Sequence, residues 1–553
     1  MKRKWWKEVV GYQIYPRSFM DSNNDGIGDL QGIISKLDYL KDLGIDVICI
    51  CPMYKSPNDD NGYDISDYQD IMSDFGNMAD FDQLLSEVHK RDMKLIIDLV
   101  INHTSDEHEW FIESKSSKDN PKRDWYIWRE GKDGAEPNNW ESIFKGSAWE
   151  YDENTKEYFL HLFSKRQPDL NWDNEEVRQE IYKMINWWLD KGIDGFRVDA
   201  ISHIKKEDGL CDMNNPHNLD YVSSFDKHMN VDGIHDYLDE LNKNTFAKYD
   251  IMTVGEANGV NADESELWVG EEQGKFNMIF QFEHLQLWGE EGEVKFCPKK
   301  YKEVLTKWQN SLEGKGWNAL FIENHDIPRV VSTWGNDGEY LNQCAKAFAL
   351  MYFMQKGTPF IYQGQEIGMT NVKFDSIDLY NDVKSVNIYN EKIQAGASKE
   401  EALKAIWGIS RDNARTPMQW NSGINAGFSK AKPWINVNPN YEEINVEAQK
   451  NDENSILNFY KKMIKIKKDN LPLTYGVYDL ILEEDENIYA YTRTLENEKF
   501  VCIVNLSDKD VLYKYDEISL KYDGLLISNY DVQVHEDITE ISLKPYEARL
   551  YKI

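Results

Sequence analysis

The sequence predicts an α/β protein: a (β/α)8 TIM barrel with an inserted subdomain after strand three and a C-terminal all-β domain. Three observations predict it. Eight short apolar, β-branched runs recur, each followed by a helix-like stretch. About ninety residues separate the third run from the fourth, far more than a usual connection. After about Asn470 the helical pattern gives way to short strand-like segments with polar turns.

The runs are Val10–Tyr15, Val47–Met53, Leu95–Val100, Gly195–Ala200, Ile251–Glu256, Met278–Phe282, Ala319–Glu323 and Phe360–Tyr362. Several are nearly continuous in apolar residues, as strands of a parallel sheet buried on both faces are. Thr104–Trp172 is rich in Trp, Lys, Asp and Asn with weak periodicity, which marks the insertion. A helical-plus-loop excursion, Met369–Thr416, follows the eighth run, and Ile488–Thr494, Phe500–Asn505 and Glu540–Leu543 belong to the last domain. The expected boundaries are residues 1–103 and 173–475 for the barrel, 104–172 for the insertion and 476–553 for a C-terminal β-sandwich.

Composition narrows the function. The net charge of −34 repels phosphate backbones and anionic membranes, so neither nucleic acid nor a membrane is expected as a partner. A neutral sugar meets no such repulsion, and the 18 Trp and 31 Tyr supply flat rings for sugar faces where they do not simply fill cores. The six Cys show no zinc spacing, and no secretion signal or membrane span is evident. A cytoplasmic protein, monomeric or weakly homo-oligomeric, is expected.

In such a barrel, residues that end strands gather at the C-terminal face. The acidic residues there are Asp98, Asp199, Glu256 and Asp326, with His103 and His325 beside them and Arg197 two positions before Asp199. Cleaving a glycosidic bond needs one carboxylic acid to protonate the leaving oxygen and a second carboxylate to attack or to activate water.

The motifs Asp98-Leu-Val-Ile-Asn-His103, Gly195-Phe-Arg-Val-Asp199, Val254-Gly-Glu256, Glu323-Asn-His-Asp326 and Gln167-Pro-Asp-Leu-Asn171 occur in this order. With them the chain resembles the α-amylase superfamily of retaining glycoside hydrolases, in its oligo-1,6-glucosidase and α-glucosidase branch. The resemblance covers essentially the whole chain. It implies Asp199 as nucleophile, Glu256 as general acid and then base, and Asp326 as the group gripping the 2- and 3-hydroxyls. It implies Arg197 keeping the nucleophile ionised, and His103 and His325 bonding the same glucose. Asp60 and Arg411 would close the pocket behind the 4-hydroxyl, Tyr63 would stack on the sugar, and Phe144, Phe163 and Gln167 would line the entrance. The implied partner is a small oligosaccharide. Non-catalytic barrel relatives that chaperone transporters have lost the carboxylates this chain keeps.

Asp21-Ser-Asn23-Asn-Asp25-Gly26-Ile27-Gly-Asp29 puts oxygen ligands at alternate positions, with Gly26 at the sharp turn, as Ca²⁺ requires. It is not a full EF-hand: its twelfth position is Gly32, and Asp29 must serve instead. The resemblance adds that similar enzymes hold a structural Ca²⁺, or Mg²⁺, here, with the Ile27 carbonyl as a ligand. The residue after the nucleophile bears on linkage. In this branch Val accompanies α-1,6 preference and Ala or Thr accompanies α-1,4 acceptance; here it is Ala200. Both linkages are expected, with trehalose 6-phosphate or sucrose as alternatives. Sucrose isomerases carry an Arg-rich loop before the fourth motif, whereas Gln281 to Pro328 contains no Arg, which favours hydrolysis. Glu323, Ile327 and Gln365 depart from the residues common in the family.

Overall fold

The computed structural model describes residues 3–288, 296–515, 524–532 and 538–553, so residues 289–295 of the arginine-free stretch lie outside the described part. Eight parallel strands form one sheet: β1 (Gly11–Ile14), β2 (Val47–Ile50), β3 (Lys94–Val100), β4 (Gly195–Asp199), β5 (Met252–Ala257), β6 (Met278–Gln281), β7 (Ala319–Leu320) and β8 (Thr358–Tyr362). Their order is β6-β5-β4-β3-β2-β1-β8-β7, a barrel closed but for the seam between β6 and β7. The second and seventh strands end earlier than the sequence suggests. Past β7 the chain bends so that the Glu323 carboxylate accepts the Val330 N–H at 2.7 Å, ending the ladder.

Strand alternation sorts the side chains. Leu95, Ile97 and Leu99 of β3, with Phe196 and Val198 of β4, join the large core under the helices. Ile96, Val47, Met252, Val254 and Met278 fill the barrel interior. Because the period is two, Asp98, Arg197, Asp199 and Glu256 fall on the interior face. Strand register sets Arg197 beside Asp98 on one flank and Val254 on the other. Gly195 permits this close approach: a Cβ there would lie 1.8 Å from the Met252 carbonyl.

Helices cover the outside. In α1 (Met78–Lys90) an Asn77/Asp80 capping box starts the helix, and Phe81, Leu84, Leu85 and Val88 form its buried stripe. The insertion carries α2 (Glu109–Ser116) and a three-stranded sheet in the order Trp128–Arg129, Glu157–Leu160, Trp149–Asp152. A bridge of Trp140–Glu141 with Val222–Ser223 ties it to the loop after β4. α3 (Glu175–Lys191) begins at Asn174, whose side chain accepts the Glu176 N–H, and stops at Gly192 with φ 103°. After β8 the chain runs through α4 (Val383–Gln394), capped by Asp382.

The C-terminal domain has a five-stranded antiparallel sheet and a two-stranded one, Val511–Lys514 with Glu540–Leu543. Ile488, Val501 and Ile503 pack against Tyr513, Ile541 and Leu543 between them. The opposite face of the larger sheet joins the barrel's core through Tyr489, Tyr491 and Val504. One buried cation fastens the seam: Arg493 Nη1 donates to the carbonyls of Met354 and Leu473 at 2.5 and 2.8 Å. Among the described residues no helix is long and apolar enough to cross a membrane.

Candidate active site

One guanidinium organises the floor of the site. Arg197 Nη1 donates to Asp98 Oδ1 at 2.8 Å and to Asp199 Oδ1 at 2.6 Å, while Nη2 donates to Glu256 Oε2 at 2.6 Å. Asp199 and Glu256 thus sit on adjacent nitrogens of one planar group, close enough to act on one bond. Ala200 follows with φ 44° and ψ 31°, and this left-handed turn aims its N–H at Glu256 Oε2, 3.1 Å away. Burial, and then Glu256 beside it, pushes the Asp199 carboxyl well above the usual carboxylate range, against the pull of Arg197.

The opposite wall comes from the loops after β7 and β8. Asp326 Oδ1 accepts from Arg415 Nη2 at 2.7 Å and from Arg411 Nη1 at 3.4 Å. Burial alone would raise this carboxyl; His325, Arg415 and Arg411 outweigh it and hold Asp326 well below the usual range. Arg411 also donates from Nη2 to Asp60 at 3.2 Å and from Nε to Asp382 at 2.7 Å. Burial at Asp382 is likewise outweighed by Arg411 and Arg415, leaving its pKa at about 2.

A cavity of about 260 Å³ lies between these walls, lined by Asp60, Tyr63, His103, Phe144, Phe163, Asp199, Glu256, Asp326 and Arg411 among others. Three predicted residues stand behind that lining, which corrects the expectations that Gln167 lines the entrance and that His325 faces the sugar directly. Gln167 and His325 are both 0% exposed. Gln167 Nε2 lies 3.3 Å from Asp60 and 3.2 Å from His103, so it braces two wall residues. His325 Nε2 is taken up by Tyr63 Oη at 2.6 Å and Asp326 Oδ2 at 2.9 Å, and its ring stacks on Tyr63 with the planes 4° apart. The Tyr63 hydroxyl in turn donates to Asp98 at 2.9 Å. Arg197 is the third, lying beneath the two carboxyls it holds. Burial lowers His103 to about 4, so it is neutral.

The cavity also recruits residues beyond those predicted: Ile143, His203, Asn258, Phe282, Leu285, Asn324 and Lys384. Some carried a signal. Asn258 is two positions after Glu256, on the same face, and Asn324 flanks Asp326. Lys384, and Asp382 behind it, carried none, because a helix start in a long loop has no address in the barrel. His203 Nδ1 lies 3.0 Å from His228 Nδ1, and His228 Nε2 lies 3.2 Å from the Ser224 hydroxyl. Of the unusual family positions, Ile327 lines the cavity and Glu323 is an internal partner of Arg329 at 3.1 Å. Gln365 bonds Tyr352 and Tyr460 away from the site.

The loop Asp21–Asp29 lies apart from this cavity. Asp21 accepts the N–H groups of Asn23 and Gly26 at 3.0 and 2.9 Å, Asp25 accepts that of Ile27 at 2.8 Å, and Asp29 caps the helix Leu30–Ser35 through Gly32. The loop's side chains offer oxygen ligands and no basic side chain among the described residues pairs with its three carboxylates, but these are turned to backbone N–H groups and, among the described residues, do not draw together into a three-ligand cluster.

Comparison with known proteins agrees with this geometry. The family model "Alpha amylase, catalytic domain" matches residues 13–476. The chain is 60% identical over 551 residues to "Probable oligo-1,6-glucosidase 3" of Bacillus subtilis (strain 168), covering all of both chains. It is 56% identical over 559 residues to an oligo-1,6-glucosidase of Parageobacillus thermoglucosidasius, again end to end. The solved structure of a trehalose-6-phosphate hydrolase from Bacillus licheniformis superposes with a TM-score of 0.94 at 44% identity, covering 100% of each chain. A barrel whose strand ends converge three carboxylates on one cavity, matched by a family model over most of its length, leaves one assignment: the protein belongs to the α-amylase family of glycoside hydrolases.

Proposed function

We propose that the protein is a retaining, exo-acting α-glucosidase that removes terminal glucose from short isomalto- and malto-oligosaccharides. One observation carries this: Asp199 and Glu256 are held on adjacent nitrogens of Arg197 at the floor of a small cavity walled by Asp60, Arg411 and Asp326. In the first step the Asp199 carboxylate attacks the anomeric carbon while Glu256 gives its proton to the glycosidic oxygen. A glucosyl ester forms and the aglycone leaves as an alcohol. In the second, Glu256 takes a proton from water, whose oxygen attacks the same carbon and breaks the ester. Two inversions retain configuration. The pair holds one proton between two carboxyls; burial and Glu256 raise Asp199, so the attack requires that proton on Glu256, with the Arg197 charge favouring the Asp199 carboxylate. Asp326, kept ionised by two arginines, grips the hydroxyls of the bound glucose, and the Asp60–Arg411 pair ends the pocket, so only a chain terminus enters.

Release of p-nitrophenol from p-nitrophenyl α-glucoside tests this. Asp199→Asn should cut kcat at least 10³-fold, an order set by loss of the covalent route; near-normal turnover would exclude Asp199 as nucleophile. A second reading, hydrolysis of trehalose 6-phosphate, has one observation in its favour: Lys384 is among the residues that line the cavity. Comparing kcat/KM for isomaltose and trehalose 6-phosphate separates the two.

We also propose that the Asp21–Asp29 loop holds Ca²⁺, or Mg²⁺, through Asp21, Asn23, Asp25, the Ile27 carbonyl and Asp29. The ion is structural, since the carboxylates complete the chemistry without it. All six cysteines are unbridged, which suits a cytoplasmic protein, monomeric or weakly self-associating.

A further inference from the structure

We propose that a groove on the barrel's flank, separate from the catalytic cavity, is a second binding site for a neutral α-glucan chain. It rests on the reading of the active site as one for glucose oligomers. The groove has a volume of about 740 Å³, against about 260 Å³ for the catalytic cavity, and the two share no lining residue.

Three elements build it. From α3 come Glu180, Lys183, Met184 and Trp187, spaced i, i+3, i+4 and i+7, so they share one face, which borders the buried stripe: Met184 belongs to the core, and Trp187 packs against it while staying partly exposed. From α2 comes Trp110, wedged in place by His108 at 4.5 Å and Trp125 at 5.2 Å between ring centroids. The strand Asp67–Ile71 adds Tyr68 and Gln69. Among the described residues the indole N–H groups of Trp110 and Trp187 and the Gln69 amide have no protein partner, and all three side chains are at least partly exposed.

The chemistry selects the ligand. Lys183 is paired with Glu180 at 2.5 Å, and Glu107 with Arg166 at 2.6 Å, so no basic cluster awaits an anion. What remains is two partly exposed indoles, Trp187 with the Lys191 ammonium 5.5 Å from its ring centroid and Trp110 packed on His108, together with their unpartnered N–H donors and an amide. That set suits a polyhydroxylated chain whose sugar rings stack and whose hydroxyls bond the edges. The Tyr68 hydroxyl donates to the carbonyls of Val100 and His103, at 2.9 and 3.2 Å, which fastens the groove's wall to the end of β3.

Native electrophoresis of the full-length enzyme in gels containing dextran or soluble starch tests this, with saturating deoxynojirimycin, a glucose-shaped iminosugar, filling the catalytic cavity. The wild type should be retarded by at least one polymer. Trp187→Ala should weaken retention about tenfold, the order of one lost stacked ring, and Trp187→Phe less. Turnover of p-nitrophenyl α-glucoside by both variants should stay within twofold of wild type. A wild type that cleaves the glucoside but is not retarded overturns the groove and leaves the catalytic reading standing. Retention that is equal in wild type and Trp187→Ala also overturns it. A wild type that is retarded, in a way Trp187→Ala abolishes, yet cannot cleave the glucoside, keeps the groove and sinks the catalytic reading.

Discussion

At the scale of single residues, Arg197 does more than neutralise a nucleophile. It carries Asp98, Asp199 and Glu256 at once, so the spacing of the two reacting carboxyls is set by the width of a guanidinium. Lysine, a point charge without a planar fork, could not hold that geometry. Ala200 is the next constraint. Its left-handed backbone tolerates no bulk cheaply, and it lines the cavity beside Glu256. Adding two methyl groups there narrows the leaving-group side, where the α-1,4 and α-1,6 approaches differ. Ala200→Val should lower kcat/KM for maltose relative to isomaltose by roughly tenfold, within the 1–3 kcal/mol that methyl-sized changes command. A ratio moving less than twofold would remove this residue from linkage choice.

At the scale of elements, the strands aim and the loops close. Alternation along β3, β4 and β5 puts four charged groups on the interior face without any help from the loops. The closing pieces come from the insertion, which brings Phe144 and Phe163, and from the excursion after β8, which brings Asp382 and Arg411. The insertion's helix α2 has an unusual start, because the His108 Nδ1 accepts the Trp110 N–H at 3.1 Å as its N-cap. That role needs a neutral ring, and burial lowers His108 from 6.5 to about 3. Since the unfolded chain takes up the proton first, this stabilisation is complete above pH 6.5 and is lost as pH falls towards 3. By pH 5 the loss amounts to about 2 kcal/mol. His108→Asn caps without titrating, so the Tm gap between the two proteins should be constant above pH 7 and move in the variant's favour on acidification to pH 5. A gap that stays constant to pH 5 would show that His108 does not carry this dependence.

At the scale of the whole molecule, the Asp21–Asp29 loop joins distant parts of the chain. The Ser429 hydroxyl donates to Asp21 at 2.5 Å, and the Trp434 N–H donates to the Gly26 carbonyl at 3.0 Å. A Cβ at Gly26 would meet the Lys432 carbonyl at 2.1 Å, so the loop and this segment fit only with glycine there. Excess EDTA should therefore lower Tm by a few degrees, reversed by Ca²⁺, because binding to the native state alone stabilises it; an identical melting curve would remove the ion.

Much of this was legible in the chain. Eight buried runs, the long gap after the third and the strand-like C-terminal segments gave the architecture, since a period of two and a run of apolar residues are local properties. The same period put Asp98, Arg197, Asp199 and Glu256 on one face. What only the tertiary structure decided is how residues meet across long separations: Asp382 and Lys384 arriving at the cavity, His325 and Gln167 standing behind its wall, and α2 facing α3 across a groove. Packing chooses those partners, and no local pattern encodes which surface a loop will reach once the barrel has closed.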